Sequence, residues 1–196
     1  MIDITNIPEF VKKIEQKDYP RHVLINLQTA GIGKSNLVKI KQVIDDIISF
    51  HIEHNIPIVT VSLGNLADVD LQEVVYSYLE ELLEKAVENK INITVIGKWY
   101  NFMGKLVEEL KKVNSGTNGL DNSFFNLCIN YDGQEEIVDA CRVMVRKCVL
   151  EQLNPDSINK EIIKENIYTS YFIPPELVIE SSSKFSGTFL WDSMNA

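Results

Sequence analysis

The stretch His22-Val23-Leu24-Ile25-Asn26-Leu27-Gln28-Thr29-Ala30-Gly31-Ile32-Gly33-Lys34-Ser35 decides the fold. Its first six residues are a short, mostly apolar run rich in branched side chains, which reads as a buried strand. Small residues then make a loop. Beyond Ser35, Leu37, Ile40, Val43, Ile44, Ile47 and Ile48 recur at helical spacing, the stripe of a long amphipathic helix.

The same alternation continues outward. A short amphipathic segment with Ile7, Phe10, Val11 and Ile14 precedes the strand. After the first helix the pattern predicts strand Ile58–Ser62, a helix through Leu71, Val75, Leu79, Leu82 and Ala86, and strand Ile91–Ile96. A helix carrying Met103, Leu106, Val107 and Leu110 follows and is broken at Ser115-Gly116-Thr117-Asn118-Gly119. Strand Phe124–Ile129, helix Glu135–Leu150, a shorter helix around Ile158 to Ile167, and strand Glu176–Ile179 complete the order. Apolar strands alternating with helices predict an α/β fold, with a mostly parallel central sheet flanked by helices. No repeat or linker divides residues 1–196, so a single domain is expected. Such sheets bind ligands beyond the carboxyl ends of their strands, which directs attention to the loops after Leu27, Ser62, Ile129 and Ile179.

Composition narrows the function classes. Nineteen basic against 28 acidic side chains give a net charge of -9, which argues against a nucleic-acid partner. No apolar run reaches the ~20 residues of a membrane helix, and the first residues lack a secretory pattern, so a cytoplasmic protein without a transmembrane segment is expected. Cys128, Cys141 and Cys148 are odd in number and form no C-x-x-C pair. Cys141 and Cys148 lie seven apart on one helix, where buried free thiols are expected. His22, His51 and His54 have no partners at ligand spacing, so no metal site is expected. His51 and His54 end a helix, where a cation suits the dipole.

Gly31-Ile32-Gly33-Lys34-Ser35 ends the first loop at the start of a helix. Glycines let backbone amides approach an anion, a helix N-terminus adds positive potential, and Lys34 adds a charge. As a nucleotide P-loop it fails, because Gln28 stands where that motif needs glycine and no strand supplies the magnesium-binding Asp. Ser35 also fits a plain helix cap.

The whole chain resembles the cis-prenyltransferase family, of the undecaprenyl diphosphate synthase type. Pro20-Arg21-His22-Val23-Leu24-Ile25-Asn26-Leu27 is similar to its P-x-H-V-A-I-I-M, and Val59-Thr60-Val61-Ser62-Leu63-Gly64-Asn65 to its strand ending A-F-S-x-E-N. Asn130-Tyr131-Asp132-Gly133-Gln134-Glu135-Glu136-Ile137-Val138-Asp139-Ala140 resembles N-Y-G-G-R-x-E-I-V-x-A. Ile167-Tyr168-Thr169-Ser170, Pro174-Pro175-Glu176-Leu177-Val178-Ile179 and Phe189-Leu190-Trp191 follow the family's closing blocks. The resemblance implies a parallel-sheet fold, prenyl diphosphate ligands, magnesium held with the diphosphate, and a dimer.

The departures from that pattern concern the diphosphate sites. Gln28 replaces the Asp that helps hold magnesium, and Ala30, Ile32 and Gly33 replace the Asn, Arg and Trp of the D-G-N-G-R-W loop. Glu180 stands for the Arg of R-T-S-G-E, while Lys184 and Ser186 fall where a later Arg and Ser bind isopentenyl diphosphate. The chain is also truncated at its C-terminus relative to the family, without the closing R-x-G. Allylic diphosphates ionise when fixed positive charge and magnesium stabilise the departing pyrophosphate, and forked Arg donors anchor the second diphosphate. The departures therefore imply a degenerate member lacking chain elongation. It is expected to act as a non-catalytic subunit, paired with itself or with a catalytic chain of the family.

The alternative is an atypical prenyltransferase or prenyl-diphosphate-processing enzyme. On that reading Gly31, Ile32, Gly33, Lys34 and Ser35 hold the diphosphate, and magnesium enters only with it. Ser62 and Asn65 are then the candidate catalytic groups, Lys184 and Ser186 a second diphosphate site, and Phe50, Val74, Tyr78 and Leu82 a prenyl tunnel. Each of the four also suits an ordinary core.

Overall fold

Every apolar run read as a strand forms one. The computed structural model describes residues 19–27, 29 and 34–193, with backbone alone for 34–38. The strands are β1 (His22–Asn26), β2 (Ile58–Ser62), β3 (Ile91–Ile96), β4 (Ser123–Cys128) and β5 (Leu177–Glu180). The helices are α1 (Lys34–His54), α2 (Val69–Glu88), α3 (Lys105–Gly116), α4 (Gly133–Val149) and α5 (Lys160–Asn166). The strands pair in parallel in the order β3-β4-β2-β1-β5. The amphipathic segment around Ile7 to Ile14 and the loop residues Gly31, Ile32 and Gly33 lie outside the described residues.

Successive strand residues face opposite sides of the sheet, and here the two faces differ in chemistry. Val23, Ile25, Val59, Val61, Ile93, Phe125 and Leu127 face a large apolar core built with α1, α2 and α3. The other face carries Leu24, Ile96 and Cys128, covered by Tyr131 and Phe189 with Tyr168 and Phe172 against them. Between those apolar residues runs a buried polar chain. His22 Nδ1–H donates to the Ile173 carbonyl at 2.6 Å, which leaves Nε2 to accept from the Thr60 hydroxyl at 2.8 Å. Thr60 in turn accepts from Asn126 Nδ2 at 3.0 Å. Burial holds the His22 pKa below its ordinary value, which keeps that ring neutral.

Local chemistry sets the helix ends. Asp68 accepts from Asp70 N at the start of α2, and Asp132 accepts from Gln134 N and Glu135 N at the start of α4, satisfying amides that the helix leaves unpaired. Phe50, Val74, Tyr78 and Leu82 all pack into or against the apolar core, and the Tyr78 hydroxyl donates to Asp45 at 2.9 Å.

Three expectations are corrected. Met103 is outside α3 and 93% exposed, because Gly104 takes a φ of +77° and starts the helix afresh after it. Cys141 is exposed and Cys148 half-buried, since the inward stripe of α4 runs Gly133, Glu136, Ala140 and Met144. His51 carries no charge at the end of α1: it is buried against the Ser123 hydroxyl, and desolvation lowers its pKa to about 4.

Candidate functional site

The parallel register brings the last residues of three strands into one row. Asn26 of β1 pairs with Ser62 of β2 on one side and with Glu180 of β5 on the other. All three fall on the polar face, at the carboxyl edge of the sheet. A cleft of about 280 Å³ opens above them, and the four loops expected to carry function each contribute to its wall, through Thr29, Asn65, Tyr131 and Ser182.

The floor is buried and the rim is open. Asn26, Thr29, Ser62 and Thr188 are all more than nine-tenths buried, whereas Asn65 and Ser186 are exposed. Thr29 is held by donating its hydroxyl to the Leu63 carbonyl at 2.6 Å. Thr188 donates to Ser62 Oγ at 3.2 Å, and its Oγ1 lies 3.0 Å from Ser186 Oγ. Glu180 collects three donors on one oxygen: Asn26 Nδ2 at 2.9 Å, and the Ser186 amide and hydroxyl at 3.1 Å each. Glu180 is the one charged side chain lining the cleft among the described residues. Asn26 Oδ1 is buried, with no hydrogen-bond partner among the described residues.

Tyr131 forms part of the wall without offering its hydroxyl to the cleft. That hydroxyl donates to Glu136 Oε2 at 2.5 Å and accepts from the Phe189 amide at 3.1 Å. Glu136 is 0% exposed and also accepts from the Tyr168 amide at 2.9 Å. Burial pushes its carboxyl pKa up, against the pull of those two donors. The segment that carries Thr188 is anchored below by Asp192, which accepts from Lys164 at 2.6 Å and from Thr169 at 2.7 Å.

Ser62, Asn65 and Ser186 all line this cleft. Lys184 does not join them: it is exposed and absent from the lining. Lys34 and Ser35 form the first turn of α1, which follows β1 and so begins on the carboxyl side of the sheet. Asn26, Thr29 and Thr188 were not singled out in the sequence. Asn26 had a readable signal, a polar residue ending an apolar strand, while Thr188 reaches the floor only through tertiary folding. No group of three His, Cys, Asp or Glu is placed to hold a metal ion among the described residues.

The family description "Putative undecaprenyl diphosphate synthase" matches residues 39–196. The chain belongs to the undecaprenyl diphosphate synthase family. A relative from Thermoplasma volcanium, named tritrans,polycis-undecaprenyl-diphosphate synthase (geranylgeranyl-diphosphate specific), is 26% identical over 96% of this chain and 82% of its own length. A protein of the same name from Picrophilus torridus is 27% identical over 80% of this chain and 66% of its own. The crystal structure of lavandulyl diphosphate synthase from Lavandula x intermedia, in complex with dimethylallyl diphosphate, superposes with a TM-score of 0.80. It is 20% identical, with 88% of this chain and 83% of that chain covered. The chain thus shares the fold of that solved structure. Among the described residues no helix is long and apolar enough to cross a membrane.

Proposed function

We propose that this chain is a degenerate member of the family that does not elongate prenyl chains and serves as a non-catalytic subunit of a prenyltransferase complex. The observation that carries the reading is Glu180 in the cleft. The resemblance puts an Arg there, and two like charges about 4 Å apart near a protein surface repel by roughly 4 kcal/mol. Swapping a forked cation for a carboxylate turns an anion anchor into an anion barrier. Ser186 reinforces it, because its amide and hydroxyl are already spent on Glu180.

Support for a protein partner comes from the outward face of α4. Val138, Val145 and Val149 follow one another at helical spacing and are 40%, 61% and 77% exposed, where a helix covering a sheet ordinarily carries polar residues. A catalytic chain of the same family is the partner proposed for this ridge, and a second copy of this chain is the competing outcome.

Two assays test the reading. The purified chain, given farnesyl diphosphate, labelled isopentenyl diphosphate and magnesium, should yield no elongated product, and calorimetry with isopentenyl diphosphate should give no heat. Steady elongation by the chain alone overturns it.

One observation favours the second reading, an atypical prenyl-diphosphate enzyme. α1 begins at Lys34 on the carboxyl side of the sheet, where its unpaired amides suit a phosphate. Farnesyl diphosphate binding that disappears in Lys34→Ala would favour it. Binding unchanged in that variant would remove its support.

A further inference from the structure

The break that ends α3 closes on Asn118-Gly119, the one Asn-Gly pair in the chain. The Leu120 amide donates to the Thr117 carbonyl at 3.1 Å and so ties off a tight turn. Gly119 stands third in that turn with a φ of +85°, the backbone of a type II turn, which favours glycine there. A Cβ at Gly119 would meet nothing within 4 Å. The turn, not the packing, accounts for the glycine.

Asn118 and Gly119 are both exposed. Among the described residues nothing bonds the Asn118 side-chain amide or the Gly119 N–H. The Asn118 amide itself makes one long bond, to the Ser115 carbonyl at 3.4 Å. Two neighbouring asparagines that precede a serine are engaged instead. Asn114 accepts from the Val95 amide at 3.3 Å, and Asn122 Nδ2 donates to the Asn89 carbonyl at 3.4 Å.

The chemistry follows from what Gly119 lacks. Without a Cβ its amide nitrogen is open to approach, and its backbone turns through conformations closed to other residues. Once base removes the N–H proton, that nitrogen can attack Cγ of Asn118. The new N–Cγ bond closes a five-membered imide, while the Cγ–Nδ2 bond breaks and ammonia leaves with the proton. Water then opens the imide at either carbonyl, and no oxidant or other reactant is consumed. One opening gives aspartate. The other gives isoaspartate, whose main chain runs through Cβ and is longer by one carbon.

We propose that Asn118 is a self-modifying site, at which deamidation through Gly119 ages the protein and loosens the sealed edge of β3. Thr117, the residue before it, makes the change consequential. Its hydroxyl is fully buried, accepts from the Ile93 amide at 3.0 Å and donates to the Val113 carbonyl at 2.9 Å. An extra carbon one residue further on displaces the turn that Thr117 opens, and with it the acceptor covering the strand edge. The new carboxylate also adds to a chain already at a net charge of -9.

Incubating the full chain in mildly alkaline buffer tests the site. Mass spectrometry of a digest reads the change from amide to acid, and an isoaspartate-specific methyltransferase with labelled S-adenosylmethionine counts the isoaspartyl form. The Asn118 peptide should convert, chiefly to isoaspartate, while Asn114 and Asn122 stay amides. Mildly acidic buffer should slow it, because the Gly119 N–H must lose its proton. Hydrogen exchange at Ile93 should quicken several-fold in the converted protein, with β4 amides unchanged. Asn118→Gln, which would need a larger ring, should take no label and keep the Ile93 rate of fresh protein. Its side chain replaces an exposed, unbonded one, so the fold is retained. An Asn118 that stays an amide while the free peptide of residues 115–120 converts overturns the site. So does label retained by Asn118→Gln, or equal conversion at Asn114 and Asn122. Converted protein with the Ile93 rate of fresh protein overturns the effect on β3.

Discussion

His51 is 1% exposed on the inner side of α1, and the Ser123 hydroxyl at 2.8 Å is its hydrogen-bond partner. Burial lowers its pKa from 6.5 to about 4. The unfolded chain therefore takes up a proton as pH falls below 6.5, while the folded protein does not until about pH 4. Stability from the neutral ring is complete above 6.5 and lost across that window, by on the order of 3 kcal/mol. His22, also lowered by burial, acts in the same direction. Glu136 acts in the other: its raised carboxyl pKa means that acid relieves a buried charge. Thermal melts at neutral pH and near pH 4.5 should separate these contributions, because His51→Gln removes one histidine and leaves the others. The variant should lose less melting temperature on acidification than the wild type. Equal losses would show that His51 does not titrate as its burial requires. None of this was legible from the residue alone, since a histidine near a helix end suits a cation as well as a core.

β3 is the outer strand of the sheet, and α3 deals with its open edge. Thr117, just past the helix, accepts from the Ile93 amide at 3.0 Å and is fully buried. Asn114 accepts from the Val95 amide at 3.3 Å. An unpaired strand edge invites pairing with another chain, and here two side chains stand in for the missing strand. Thr117→Val keeps the shape and removes the acceptor, leaving a buried N–H unpaired. Unfolding in urea should show a loss of about 1–3 kcal/mol, and hydrogen exchange at Ile93 should quicken more than at β4 amides. At the other side of the molecule, Gly133 opens α4 against the closing segment. A Cβ there would lie 2.8 Å from Leu190 Cβ and would crowd the Gly187 carbonyl. Gly133→Ala should destabilise by about 1–3 kcal/mol and loosen Thr188 on the cleft floor, visible as faster exchange at the Phe189 amide. The loop Ser115-Gly116-Thr117-Asn118-Gly119 was readable as a helix break; that Thr117 would seal a strand edge was not, because its partner is 24 residues away in the chain.

At the scale of the whole molecule, the proposed partnership and the exposed α4 ridge make one prediction. Val145→Glu places a charge on a face with no role in the fold, so its circular dichroism and melting temperature should match the wild type. Sedimentation of the chain with a catalytic chain of the family should then show complex with the wild type and separate species with the variant. A complex that survives the substitution would move the contact to another surface. The five strands, their order in the chain and the parallel class were determined by the sequence itself, since short apolar runs alternating with helical stripes bury their surface well only in a sheet covered on both faces. The family could be read there too, because its blocks keep their residue types in order. The row Ser62, Asn26 and Glu180 needed tertiary structure: strand order and register decide which strand ends stand side by side, and neither is written in local periodicity. The same holds for the outward turn of Cys141, and for Thr188 reaching Ser62 across 126 residues. Periodicity shows that a helix has an apolar stripe or that a strand alternates. Which polar groups then meet, and which remain unpaired, depends on packing between distant elements.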